Sequence, residues 1–201
     1  IHNWGKNIAV FPRSATIVEE DGVFLSNYVC MEQVRKIQME PICHLKGERA
    51  VGRFSSVVVC TPGSFMDLGS IAVLGAKGTS AELITRAITT GGTILSRGRI
   101  DGKVKGTKGH IECKGLILRD GTIHAIPEIK GDVVDTELSH EAAVGKIARD
   151  EIEYLMARGL DEETATATII RGFLDVKVEG LPDVLQSQID AAIDAAEKSG
   201  F

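Results

Sequence analysis

The chain has 201 residues and a formal net charge of -5, with 43% apolar, 25% charged and 4% aromatic residues. That is enough apolar sequence for one core, and the acidic balance excludes a dedicated nucleic-acid binder, which would carry a basic stripe. No apolar run reaches the roughly 18 residues that span a bilayer, and no signal-peptide pattern opens the chain. The expectation is therefore a cytoplasmic protein without membrane contact. Its four cysteines, Cys30, Cys43, Cys60 and Cys113, are expected to be free thiols, because no C-x-x-C pair is present.

From Ile8 to about Leu138 the chain consists of short β-branched runs bounded by glycine or polar pairs. Ser14–Val18, Val23–Leu25, Ser56–Cys60, Ser70–Leu74, Leu83–Ile88, Thr93–Leu95, Ile111–Leu118 and Thr122–Ile126 carry the strand signature. Turns are expected at Asp21-Gly22, Pro62-Gly63, Gly91-Gly92, Asp101-Gly102 and Asp120-Gly121. Two all-β architectures fit: a sandwich or barrel built from hairpins, and a solenoid with glycine corners. Few aromatics and many single glycines tilt the pattern toward the solenoid, although no exact repeat is visible.

From Glu141 the period becomes helical. Asp150 and Glu153 suggest a capped start, Ile152, Leu155 and Met156 an apolar stripe, and Gly159 a C′ terminator. Asp161 is placed to cap a second helix bearing Ala165, Ile169, Ile170 and Phe173. A third helix is expected from Pro182, with Leu185, Ile189, Ala192, Ile193 and Ala196 on one face. Helices this short bury little alone and should pack on the β part or on another protein.

The chemical motifs are sparse. Gly69 to Thr79 resembles a phosphate loop, but the spacing between glycines is one residue too long and Ala76 precedes Lys77, so a turn is expected. His140-Glu141 opens like the zinc-protease helix motif, but Val144 stands where the second imidazole belongs. The pair still offers one nitrogen and one oxygen ligand at a strand-to-helix junction. Strand parity puts Ile111, Cys113 and Gly115 on one face and His110, Glu112 and Lys114 on the other. Cys113 is thus expected inside, where a cysteine behaves as a small hydrophobe, and His2, His110 and His124 at the surface. His44 beside Cys43 points to the opposite face. Neither a nucleophile triad nor a positioned carboxylate pair is written, so residue chemistry alone stops at a β domain with a helical tail and metal-handling side chains. A solenoid interaction protein remains an alternative at this level, and a solenoid polysaccharide enzyme a weaker one.

The stretch Glu137-Leu-Ser-His-Glu-Ala-Ala-Val-Gly-Lys-Ile147, with Asp150 to Leu160 and Thr168-Ile-Ile-Arg-Gly-Phe173 after it, resembles the C-terminal signature of the SufB/SufD family. His2-Asn3-Trp4 and Pro12 to Ile17 are similar to the start of that family's β region. Members are scaffolds of the SUF iron–sulfur cluster assembly machinery and not enzymes in themselves. The resemblance implies a mainly β fold, a right-handed parallel β-helix over residues 1–138, followed by a small helical region over 139–201. It implies that the tail docks a SufC-type ABC ATPase, on a face here carrying Tyr154, Arg158, Gly159, Ile169, Arg171 and Phe173. It also implies pairing as a homodimer or SufB–SufD-type heterodimer, and a transient iron–sulfur cluster passed on to apo iron–sulfur proteins. A flavin takes part in some family complexes but is not indicated here. The implied cluster ligands are Cys113, His140 and Glu141. Glu141 leans the chain toward SufB, because SufD-type members usually carry glycine after the histidine. Ser139 replaces an acidic residue found in many SufB members. Bacterial members are about twice as long, so the resemblance is to a compact form or to a fragment.

Overall fold

In the computed structural model, residues 4–174 and Ser187 are described. The described strands are β1 (Ala9–Val10), β2 (Ala15–Val18), β3 (Val23–Cys30), β4 (Lys36–Met39), β5 (Ile42–Leu45), β6 (Val51–Cys60) and β7 (Phe65–Leu68). They continue with β8 (Ile71–Leu74), β9 (Ser80–Thr89), β10 (Thr93–Gly102), β11 (Thr107–Ile117), β12 (Thr122–Gly131) and β13 (Thr136–Gly145), and α1 (Arg149–Met156) and α2 (Glu162–Leu174) follow. All pairings are parallel, in two sheets. The first runs β1-β4-β7-β10-β8-β5-β2 with β12 joined to β10, and the second runs β13-β11-β9-β6-β3. Equivalent positions recur every 28 or 29 residues, as at Val23, Val51, Ser80, Lys108 and Glu137. This is a parallel β-helix, which decides between solenoid and sandwich. The early rungs break their first-sheet strand in two, and β10 fuses the pieces by pairing with β7 through one half and β8 through the other.

The repeat is carried by backbone conformation more than by residue identity. Asp21, Arg49, Gly78, Gly106 and Asp135 all have φ between 57° and 73°, at the same corner of successive rungs. The corner residues also bond across rungs: the Asp21, Arg49 and Gly106 N–H groups donate to Glu48, Lys77 and Asp135 carbonyls. Left-handed φ is strained for a side-chain-bearing residue, and aspartate tolerates it better than most. At Arg49 the guanidinium is held by Asp21 and Glu20 of the preceding rung. Asp101-Gly102 is not a turn: it ends β10, where buried Asp101 takes a two-pronged bond from Arg99.

Inside the solenoid the alternating side chains form two apolar clusters, one around Leu45, Phe54, Ile100, Ile111 and Cys113 and one around Ile37, Cys60, Met66 and Ile94. A third cluster lies outside. Val57, Val59 and Ile88 project from the outer face of the second sheet, and Ile170, Leu174 and Phe173 of α2 cover them. Of the two options the sequence left open, α2 takes packing on the β part.

Two boundaries differ from the sequence expectation. β13 continues to Gly145, past the boundary at 138, so His140 and Glu141 sit within a strand and not at a strand-to-helix junction. The α1 N-cap is Ala148, which makes no side-chain cap bond, and Asp150 falls inside the first turn. Gly159 adopts φ 98° beyond the C-cap Ala157. Asp161 does cap α2, its carboxylate accepting the Thr164 N–H at 2.7 Å. The helix expected from Pro182 lies outside the described residues. Among the described residues no helix is long and apolar enough to cross a membrane.

Candidate functional site

The last two strands of the second sheet bring the sequence-derived ligands near one another. In the β11–β13 register Ile111 lies beside His140, Glu112 beside Glu141, and Cys113 beside Ala142. Because alternate residues face opposite ways, Cys113 and His140 share the inner face, and Glu141 points outward with His110 and Glu112. The pleat thus splits the expected ligand trio. Leu138, two residues before His140, packs into the inner core, which fixes the parity.

Cys113 is 2% exposed, whereas His140 is exposed because no further strand covers β13 among the described residues. Burial pushes the Cys113 thiol above its ordinary value, and the Ser96 hydroxyl, 3.6 Å from Sγ, offsets this only in part. All four cysteines are free and buried. Burial raises Cys43 to about 11 and Cys60 to about 12, so at neutral pH these side chains are neutral core groups. None is a ready thiolate in the closed fold.

The outer face carries a different group. One ligand atom each of His110, Glu112 and Glu141 lies within 4.8 Å of the others. The Ser139 hydroxyl is 2.9 Å from His110 Nδ1. Lys114 Nζ sits between the carboxylates, 2.8 Å from Glu112 and 3.2 Å from Glu141, and Arg86 bonds the other oxygen of Glu112. Burial raises the Glu112 pKa, but the bonds from Lys114 and Arg86 outweigh it and hold this carboxyl below its ordinary value. Sequence parity does place His110, Glu112 and Lys114 on one face. Their connection to Glu141 needed the β13 register, which nothing in the sequence pattern announces.

The residues expected to dock an ATPase divide likewise. Tyr154 is 59% exposed and lines a groove of about 600 Å³ with Asp150, Glu151, Leu155 and Ile169. Arg158 donates to the Tyr154 hydroxyl at 2.8 Å and stacks over its ring, which orients the phenol. Gly159 and Arg171 are exposed. Phe173 faces the other way, into the cluster beneath α2, with the Arg86 guanidinium 6.0 Å from its ring. It is an anchor of the tail and not part of the open groove.

Comparison with known proteins bears on the family. Residues 1–173 match the family described as "SUF system FeS cluster assembly, SufBD core domain". An iron-sulfur cluster assembly SufBD family protein of Archaeoglobus fulgidus is 46% identical over 199 residues, which are 98% of this chain and 54% of the relative. One of Methanothermobacter thermautotrophicus strain Delta H is 40% identical over 200 residues, 98% of this chain and 49% of the relative. One of Pyrococcus horikoshii is 30% identical over 203 residues, 100% of this chain and 45% of the relative. The chain thus spans about half the length of the curated relatives it matches. With the solenoid, its helical tail and these matches together, the chain belongs to the SufBD family, which takes part in iron–sulfur cluster assembly.

Proposed function

We propose that this chain is a non-enzymatic scaffold on which a nascent iron–sulfur cluster is built and then passed to apo iron–sulfur proteins. The observation that carries the reading is the shared inner face of Cys113 and His140 on β11 and β13, the last two strands of the second sheet. Thiolate suits iron and sulfide, and imidazole binds them more weakly than a full set of four thiolates would. A scaffold that must release its product benefits from such a mixed, incomplete set. Glu141 faces the opposite way, so it joins this set only across a subunit boundary.

The outer edge of β13, ten residues of backbone without a strand partner among the described residues, supports pairing with a second copy or a paralogous subunit. The groove beside Tyr154 and Ile169 supports docking of a SufC-type ABC ATPase on the outer side of α1 and α2. ATP-driven movement of that partner then exposes Cys113, which the closed fold keeps buried and protonated. The setting is the cytoplasm, where thiols stay reduced.

Anaerobic reconstitution with iron, a sulfide source, the cognate ATPase and ATP tests the reading. Cys113→Ser should abolish the acid-labile sulfide bound to the chain while leaving its far-UV circular dichroism unchanged. Wild-type sulfide content in that variant would exclude Cys113 as a cluster ligand. Tyr154→Ala combined with Ile169→Asp should abolish co-elution with the ATPase, and undiminished co-elution would move the dock elsewhere.

A further inference from the structure

We infer that His110, Glu112 and Glu141 form a loading site for a divalent first-row metal ion on the outer face of the second sheet, with Lys114 as a tethered cation that the ion displaces. The site is separate from the inner Cys113–His140 pair because the pleat of β11 and β13 directs the two sets to opposite faces.

Two carboxylates directly opposite on neighbouring strands repel each other, and Glu112 and Glu141 are such a pair. A cation between them relieves that repulsion, and Lys114 Nζ holds the place. Lys114 is an imperfect occupant. Its ammonium hangs on a flexible stem, its side chain is 31% exposed, and it supplies one charge where two carboxylates converge. Arg86 stays on Glu112, so leaving Lys114 would uncover one carboxylate oxygen from each glutamate beside a ring nitrogen of His110. These ligand atoms come from two hydrogen-bonded strands over a packed core, so little backbone ordering remains to be done on binding. Ser139 orients the imidazole, as a second-sphere partner does in metal sites. One nitrogen and two carboxylate oxygens match Fe²⁺, Mn²⁺, Co²⁺ or Zn²⁺ and leave further positions for water. The choice of Fe²⁺ as the ion loaded in the cell rests on the scaffold reading above, whereas the site itself does not.

The test is anaerobic titration of the full chain with Co²⁺ alone, read by equilibrium dialysis and by the visible spectrum. One equivalent should bind, without a thiolate-to-cobalt charge-transfer band. His110→Ala, which breaks no ion pair, and Glu112→Gln should each weaken binding by at least about tenfold. Lys114→Met should tighten it, because the competing cation is gone, a gain that a misfolded variant cannot mimic. Cys113→Ser should bind Co²⁺ as the wild type does. Wild-type affinity in both His110→Ala and Glu112→Gln, weaker binding in Lys114→Met, or a thiolate band would overturn the inference. Failure of cluster assembly with Co²⁺ binding intact would instead reject the scaffold reading and leave this site standing.

Discussion

Among the described residues the helical tail is held to the solenoid by few side chains, and Ile170 is the one whose removal tests how it is held. α1 buries no residue, and α2 buries Ala165, Ile170 and Leu174. Ile170 is 1% exposed in the cluster with Val57, Val59 and Ile88. Ile170→Ala deletes three carbons from a site walled by rigid strands that cannot collapse to fill it, so a cost of roughly 3 kcal/mol is expected. At about 1.4 kcal/mol per tenfold, this raises the undocked population roughly a hundredfold. The loss should be local, because the strands beneath keep their ladder bonds and inner core. Native-state hydrogen exchange reads this directly. The α2 amides should exchange roughly a hundredfold faster, while those of β6 and β9 keep their protection. An equal loss of protection in β6, β9 and α2 would refute the argument, since tail and solenoid would then open as one unit. Unchanged exchange in α2 would refute it too.

Further expectations concern the corners and the α2 cap. At Gly106, φ is 73° and an added Cβ would meet nothing within 4 Å, so Gly106→Ala should cost only backbone strain, about 1 kcal/mol in denaturant titration. At Gly92 the added Cβ would lie 2.5 Å from the Thr61 carbonyl oxygen and 2.8 Å from that of Ser64. Gly92→Ala should therefore cost roughly 3 kcal/mol or more, and equal costs at the two sites would count against this account. The bond from the Thr164 N–H holds the Asp161 carboxyl below its ordinary value of 3.8. A carboxyl depressed in the folded state stabilises the helix above 3.8, and that contribution is lost as the pH falls through the depressed value. Helical dichroism of the wild type should fall over that acid window. Asp161→Asn, which caps without titrating, should remove this part of the pH dependence, and an unchanged profile would show that Asp161 does not set it.

Strands whose inner and outer faces differ strongly could be read from the chain, which is why β11 was legible, whereas β9 carries apolar Ile84 and Ile88 on its outer face. The 28- or 29-residue period was not, because one backbone conformation is met by Asp21, Arg49, Gly78, Gly106 and Asp135, three residue types with no shared letter pattern. β13 was hidden for another reason. Thr-Glu-Leu-Ser-His-Glu-Ala-Ala-Val-Gly lies at the open end of the stack, is largely exposed, and so lacks the apolar alternation that burial imposes. Missing β13 as a strand put His140 and Glu141 at a helix boundary and concealed the pleat that separates Glu141 from Cys113. The parity of Cys113 was readable because β11 is covered on both sides along the stack. Asp161 was legible as a cap because its carboxylate reaches an amide three residues on, whereas Ala148 offers no side chain by which to recognise it.

The place of Cys113 along the stack bears on how much of the protein must move to reach it. In a linear array each rung leans only on its neighbours, so the free energy of opening falls toward the ends, as in a zipper that frays from its last tooth. Among the described residues β13 is that last tooth in the second sheet, and β11, which carries Cys113, is the next one in. Peeling away the β12–β13 rung would bring the thiol to a free end while the rungs below stay closed. A reactive group one rung from the end can thus be sheltered most of the time and presented briefly, at the cost of one repeat and not of the fold.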